Sequence, residues 1–199
     1  MISLETKDLS LKELNRLMIG SILPRPIAFV STLSEDGVLN LAPFSYFNVV
    51  SSEPPLLSIS ILHRPDEPKY KDTIRNVRNN NEFVVHIVSE DILHDVNETS
   101  VEIPSNRSEL LYTKLSIMES KIVKVPQIKE SKVRMECVVE KIVELPSSDL
   151  LIGRVVNFNV DKSVYDNGRI NLEALNPISR LSGSSYGKVG NIINMERPK

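Results

Sequence analysis

Apolar positions along the chain follow two periods, and the changes between them mark the elements. In 10-SLKELNRLMI-19, Leu11, Leu14 and Met18, with Leu17, recur at helical spacing. Ser10 and, three positions on, Glu13 make a capping box, so a helical lead-in is predicted over about 10–20. Pro24 and Pro26 hold the following residues extended. Ile27 to Leu33 reads as a strand from its β-branched content, 34-SEDG-37 as a turn, and Val38 as the start of a returning strand, which makes a hairpin. Val49 and Val50 continue that strand until 51-SSEPP-55 breaks it. In 56-LLSISIL-62, Leu57, Ile59 and Ile61 alternate with Ser58 and Ser60, the period of a half-buried strand. A loop follows at 63-HRPDEPKYKD-72, then a short helix from Thr73 to Asn79 with Ile74 and Val77 on one side. A strand at 83-FVVHIV-88 precedes a helix at 89-SEDILHDVNE-98, capped by Ser89. The polar segment 99–113 reads as loop with at most a short helix. Long strands are predicted near 115–125, 132–145 and 150–160. A turn at 166-DNGR-169 and a Gly- and Ser-rich tail over about 177–199 close the chain.

Many strands joined by short turns, with few helices, point to a β-barrel or sandwich. The βαβ alternation of a doubly wound sheet is missing. The chain has 199 residues, which fits a single domain spanning 1–199 at roughly 100–200 residues per domain. Charged residues make up 25% and the net charge is -2. That balance gives no electrostatic reason to expect nucleic acid or an anionic membrane as partner. No apolar run reaches the ~18 residues of a membrane span. The opening MISLETKDLSLKEL lacks a signal-peptide apolar core, so a cytoplasmic location is expected.

Several chemistries find no support. His63, His86 and His94 lack metal-ligand spacing, and neither CxxC nor HExxH occurs. His86, inside an apolar strand, reads as a satisfied half-buried histidine. Cys137 lies in 133-VRMECVV-139, where alternation puts it with Val133, Met135 and Val139, opposite Arg134 and Glu136. A buried structural thiol is the expected role, because apolar burial raises thiol pKa. The tail 183-GSSYGKVG-190 has the wrong spacing for a phosphate loop.

Three segments fit a purely structural reading less well. Ser31 and Thr32 interrupt an apolar strand near its end. The stretch 40-NLAPFSYFN-48 mixes aromatics with Asn, Ser and Pro. The segment 71-KDTIRN-76 opens a helix, whose free N–H groups and partial positive charge favour a phosphate, with Lys71 adding a cation and Thr73 a hydroxyl. Asp72 opposes a phosphate, and alone the segment also reads as plain capping. Period-two alternation would put Phe44, Tyr46 and Asn48 on one face and Ser45 and Phe47 on the other. Pro43 should disrupt regular pairing and free backbone groups for a ligand. From these residues alone, an edge strand bent by Pro43 explains the stretch about as well as a ligand site.

Taken together, 24-PRPIAFVSTLSEDGVLNLAPFSYFNVVSSEPPLLSISI-61 and 71-KDTIRNVRNNNEFVVHIV-88 resemble the flavin reductase-like family of FMN-binding split-barrel proteins. The tail 177-PISRLSGSSY-186 is similar to that family's closing segment, with Ser182 in place of a Gly, and His86 stands where relatives tend to carry Asn. The resemblance implies an all-β fold with added helices, a six-stranded antiparallel Greek-key split β-barrel. It implies a homodimer with FMN at the subunit interface. Flavin ring and ribityl chain would lie against Ser31, Thr32 and the Ala42–Asn48 segment (Ala42, Pro43, Phe44, Ser45, Phe47 and Asn48). The phosphate would lie near Ser45, Lys71 and Thr73, with Arg180, Leu181 and Gly183 beside the flavin. The amide of Asn48 can donate and accept, which matches the flavin's pyrimidine edge. The expected activity is NAD(P)H-dependent flavin reduction, with NADH or NADPH as donor. An FMN electron carrier served by a protein partner, or a flavin-binding module without turnover, fits the same pocket. The cofactor carries the chemistry, so no residue is assigned as catalytic acid or base. Arg25 and His63 are the charged groups expected to meet a substrate.

Overall fold

The computed structural model describes residues 1–198; Lys199, the last residue of the predicted tail, lies outside them. Helix α1 (Leu11–Ser21) starts at the predicted capping box: Glu13 N–H donates to Ser10 Oγ at 3.3 Å, and Ser10 N–H donates to the Glu13 carboxylate at 2.9 Å. Its apolar stripe buries no residue. After a two-residue strand β1 (Arg25–Pro26), the predicted hairpin forms from β2 (Ala28–Leu33) and β3 (Leu39–Phe44). A second hairpin joins β4 (Phe47–Ser52) to β5 (Pro55–Leu62), and helix α2 (Asp72–Asn80) leads into β6 (Glu82–Ile87). Helix α3 (Leu93–Glu98) follows, then the short strands β7 (Ile117–Met118) and β8 (Gln127–Ile128). The longest hairpin is β9 (Val133–Leu145) with β10 (Ser148–Val160). Strands β11 (Tyr165–Asp166) and β12 (Arg169–Ile170) turn on Asn167 and Gly168, both at positive φ, as a two-residue hairpin loop requires. Helix α4 (Leu172–Leu175) and strands β13 (Ile178–Arg180) and β14 (Tyr186–Lys188) complete the fold.

Seven strands form one antiparallel sheet in the order β3-β2-β6-β9-β10-β5-β4. Its two edges, β3 and β4, are separated in sequence only by Ser45 and Tyr46. The sheet must therefore curl until the edges meet, which gives the expected split barrel, with seven strands in the ladder rather than six. Inward alternation from β2, β3, β5, β6 and β9 places Ala28, Val30, Phe44, Ile59, Phe83 and Cys137 in its interior, joined by Ile74 and Val77 of α2. Gly153 of β10 is required there, because a Cβ at that position would lie 2.2 Å from the Phe83 ring. The outer faces of β2 and β3 bury Phe29 and Leu41 under Ile92 and Val96 of the α3 region and under Ile178. Among the described residues no helix is long and apolar enough to cross a membrane.

Four local expectations are corrected. The strand predicted over 115–125 pairs only at Ile117–Met118. The N–H groups of Lys121, Ile122 and Val123 instead donate to the Glu136 carboxylate at 3.0, 2.6 and 3.1 Å. Burial would raise that carboxyl's pKa, but these bonds and the Asn159 amide outweigh it and hold it at about 2. Ser89 makes no capping bond; a 3-10 turn at Glu90–Ile92 precedes α3. Pro43 does not disrupt pairing: it stands opposite Phe29 in an unbroken ladder. Its missing N–H falls on the open side of an edge strand, where Leu41 N–H also points, so no ladder bond is lost. Phe44 and Phe47 both pack against the barrel interior, contrary to simple alternation, because the chain leaves one sheet edge and joins the other between them.

Cys137 is buried as expected, and His86 is satisfied as expected but more deeply buried than the half-buried position read from sequence. Burial pushes the Cys137 thiol's pKa up. His86 is fully buried; its Nδ1 donates to Phe29 O at 2.9 Å, and Ile128 N–H donates to its Nε2 at 2.9 Å. That pattern fixes a neutral tautomer, and burial lowers the pKa to about 4.

Candidate functional site

A cleft follows the open edge of β3, in two connected parts. The larger cavity, about 350 Å³, is bounded by Pro43, Phe44 and Ser45 at the end of β3, by Asn15 and Ile19 of α1, and by Arg180, Leu181 and Gly183 of the tail. The smaller, about 170 Å³, lies between Asn40, Ala42 and Pro43 of β3, the start of α2 and the segment Thr99–Ile103. Pro43, Phe44 and Lys71 border both. The larger cavity falls within the ~300–1,000 Å³ usual for small-molecule sites.

The smaller cavity has cationic and N–H donor groups at its α2 end, while Asp72, Glu102 and Glu109 also line it. Lys71 caps α2, so its backbone carbonyl serves the N–H groups of Ile74 and Arg75, while those of Asp72 and Thr73 have no backbone partner among the described residues. The Lys71 ammonium is half-buried, 5.7 Å from the centroid of the Phe44 ring, with no carboxylate within 4 Å among the described residues. Burial and then the neighbouring Arg64 push its pKa down, while Glu102 opposes them. Asp72, the residue that argued against an anion, is occupied by Arg64 at 3.2 Å and by Arg75.

Behind this cavity is a buried polar cluster. The Asn40 amide donates to Thr73 Oγ1 at 3.0 Å and to Thr32 Oγ1 at 3.3 Å, and the Asn76 amide donates to Thr32 Oγ1 at 3.0 Å. These bonds fix the first turn of α2 against the barrel wall. The β3 edge is fixed too: Leu41 N–H donates to the Glu109 carboxylate at 2.8 Å, whose pKa burial raises.

The predicted site residues divide accordingly. Ala42, Pro43, Phe44, Ser45, Lys71, Thr73, Arg180, Leu181 and Gly183 border the cleft. Ser45 stands in the larger cavity and Thr73 in the smaller, so only Lys71 of the expected phosphate trio reaches both. Thr32 lies behind the wall, bonded to Asn40 and Asn76. Ser31 faces away, fully buried, and donates to Pro126 O at 2.8 Å. Phe47 packs on the core, and Asn48 is exposed with its Oδ1 accepting from Val49 N–H. His63 is turned from the cleft to Asp149, 3.1 Å away, and Asp149 also holds Arg78 at 2.7 Å. Arg25 borders the larger cavity, but its N–H groups are taken by backbone carbonyls.

Residue patterns missed Asn15 and Ile19 because nothing in an amphipathic helix says which cavity it overlies. They missed Arg64, Thr99–Ile103 and Glu109 because these come from segments without period. The one available signal was Glu109, an acidic residue followed by Leu110 and Leu111 in an otherwise polar loop.

The site is thus a half-apolar cleft along one edge of a split antiparallel barrel, reaching the start of helix α2. The family model described as "Flavin reductase like domain" matches residues 19–174, and the chain belongs to that family of flavin-binding oxidoreductases. It is 48% identical over 202 residues to the uncharacterized protein YwrF of Bacillus subtilis, covering 98% of each chain. A solved structure named nitrilotriacetate monooxygenase component B, from Bacillus cereus, is 44% identical, with a TM-score of 0.95 and 98% of each chain covered. The 2-nitrobenzoate 2-nitroreductase NbaA of Pseudomonas fluorescens is 26% identical, with a TM-score of 0.90, covering 99% of this chain and 96% of that one.

Proposed function

We propose that the cleft holds FMN and that the chain is an FMN-dependent oxidoreductase of the NAD(P)H:flavin reductase type, acting as a cytoplasmic homodimer. The observation that carries this reading is Lys71: a half-buried ammonium without an ion pair among the described residues, beside a second cation and two N–H groups at a helix start that have no backbone partner among them. A phosphate group would complete that arrangement, since charge-assisted bonds to backbone and ammonium are the strong ones. The residues present fit the rest of the group as well. Pro43, Phe44 and Leu181 offer apolar surface for a ring, while Ser45, Ser60 and Tyr46 supply polar groups at its margin.

A bound flavin would supply the redox chemistry, taking up a hydride and giving electrons back. The chain's own part is binding, orientation and exclusion of water. Lys71 offsets phosphate charge and Thr73, whose oxygen already accepts from Asn40, keeps its proton for donation. The β3 edge is held by Glu109 from outside and by Asn40 and Thr32 from within, so the wall is set before a ligand arrives. We assign no catalytic acid or base. The monooxygenase component and the nitroreductase are both redox proteins by name, which favours turnover over a passive binding module. Val49 and Val50, exposed on the edge strand β4, support a second copy packing there.

The test is anaerobic. Purified protein loaded with FMN is expected to bleach at flavin wavelengths when NADH or NADPH is added. Bleaching only with a reduced protein donor would make it an electron carrier. Failure to take up micromolar FMN would remove the reading.

A further inference from the structure

We propose that Arg25 is a latch that joins the two halves of the cleft's outer cover, helix α1 and the Leu181–Gly183 turn, and thereby sets how fast flavin exchanges; the exchange clause rests on the FMN reading above, the latch does not. Arg25 is buried, only 6% exposed, at the base of the larger cavity. Its Nη1 donates to Ile19 O and to Ile22 O, both at 2.8 Å, and its Nη2 donates to Leu181 O at 2.8 Å. Its Nε approaches Ser45 Oγ at 3.5 Å, a long contact that adds little.

Among the described residues, no other group outside α1's own ladder donates to the carbonyls it takes. The last carbonyls of a helix lack intrahelical partners. At the end of α1 the Met18 carbonyl receives Ile22 N–H, and those of Ile19 and Ile22 receive the guanidinium. A cation there also complements the negative end of the helix dipole. The Leu181 carbonyl belongs to a closed turn: Leu181 N–H donates to Ser185 O at 3.0 Å, and Ser185 N–H to Ser182 O at 3.1 Å. Arg25 itself is anchored, since β1 pairs with β13 in the register Arg25 opposite Arg180. One side chain thus ties a fixed strand to two surface segments, one of them 156 residues beyond Arg25 in sequence.

Helix α1 has little else to hold it. It fully buries no residue, and among the described residues its other polar contact with the barrel is Tyr46 Oη to Asn15 at 3.5 Å. Losing the guanidinium therefore leaves the barrel core intact while releasing α1 and the turn together. Lysine cannot replace it fully, because a point ammonium does not reproduce a planar fork with fixed, divergent donors.

Hydrogen exchange on the flavin-free full chain tests the latch directly, with Arg25→Gln and Arg25→Lys. The expected result is faster exchange in both 11–22 and 181–188, by about tenfold or more in Arg25→Gln and less in Arg25→Lys, since bonds to a charged donor are lost. Exchange in β9 and the melting temperature should stay near wild type. Acceleration in one segment alone, in neither, or equally in the barrel core overturns the latch; if Arg25→Gln does not fold, the same criteria apply to Arg25→Lys. A second arm follows FMN release by stopped-flow fluorescence, where the off-rate should rise about tenfold with the on-rate nearly unchanged. An unchanged off-rate with loosened segments overturns the exchange clause. If wild type takes up no FMN, that clause falls with the flavin reading, and the exchange data on the free chain still decide the latch.

Discussion

The two walls of the cleft are built by opposite means. On the barrel side, β3 and the start of α2 rest on a filled interior, with Ile74 and Val77 fully buried and the Thr32–Asn40–Thr73–Asn76 cluster bonded throughout. On the cover side, α1 fully buries no residue, and the 181–185 turn is held by a few backbone bonds and the guanidiniums of Arg25 and Arg180. A wall made before binding suits the small charged end of a ligand, where misplacement by a fraction of an ångström costs most. A wall held by few contacts suits the part over which the ligand must enter and leave.

That contrast breaks most sharply at Gly153. Replacing it with Ala forces a methyl group into the Phe83 ring inside the barrel, and a loss of about 3 kcal/mol or outright failure to fold is expected by urea denaturation. A comparably mild change there would mean the barrel wall is softer than described.

His86 gives a pH test of the barrel behind that wall. Its folded pKa, about 4, lies below the ordinary 6.5 because burial disfavours the charged form. Between those values the unfolded chain binds more protons, so its contribution to stability is complete above about 6.5 and is lost as pH falls toward 4. The loss should approach roughly 3 kcal/mol. In His86→Gln the difference in stability between pH 7 and pH 4.5 should shrink correspondingly, and an unchanged difference would contradict the buried neutral ring.

For the ligand, Lys71→Ala with Thr73→Ala should weaken FMN about 100-fold, as two bonds to a charged group are lost, and weaken riboflavin far less. Equal loss for both flavins, by fluorescence titration, would remove the phosphate from the start of α2. The smallest effect belongs to the cover. Ser10→Ala should cost about 1 kcal/mol of local helix stability, seen as faster amide exchange in α1 with almost no change in melting temperature. A clear drop in melting temperature would show that α1 is more firmly integrated than its exposure indicates.

Much of the barrel wall was legible in the sequence, because it is made by short-range pattern. The Leu57–Ile59–Ile61 alternation and the 71-KDTIRN-76 helix start appear where the residues place them, as does the capping box of α1 in the cover. The placement of the cover over the cleft and the path of 115–125 were not, because tertiary bonds decide them. Three backbone N–H groups that would have extended a strand are captured by Glu136, a residue 13 to 15 positions away. Arg25 and His63 show the same limit: charge made them look available, and long-range partners, Leu181 and Asp149, use them up. The break at Ser45–Tyr46 resets side-chain phase, which no alternation rule within one strand anticipates.

A structure of the chain crystallised with excess FMN tests the central claim most directly. The account predicts the ring in the cavity between Pro43–Phe44 and Leu181–Gly183, with the phosphate within hydrogen-bond reach of Lys71 and Thr73. A cleft closed by the protein's own side chains, or a flavin held elsewhere with Lys71 untouched, would contradict it.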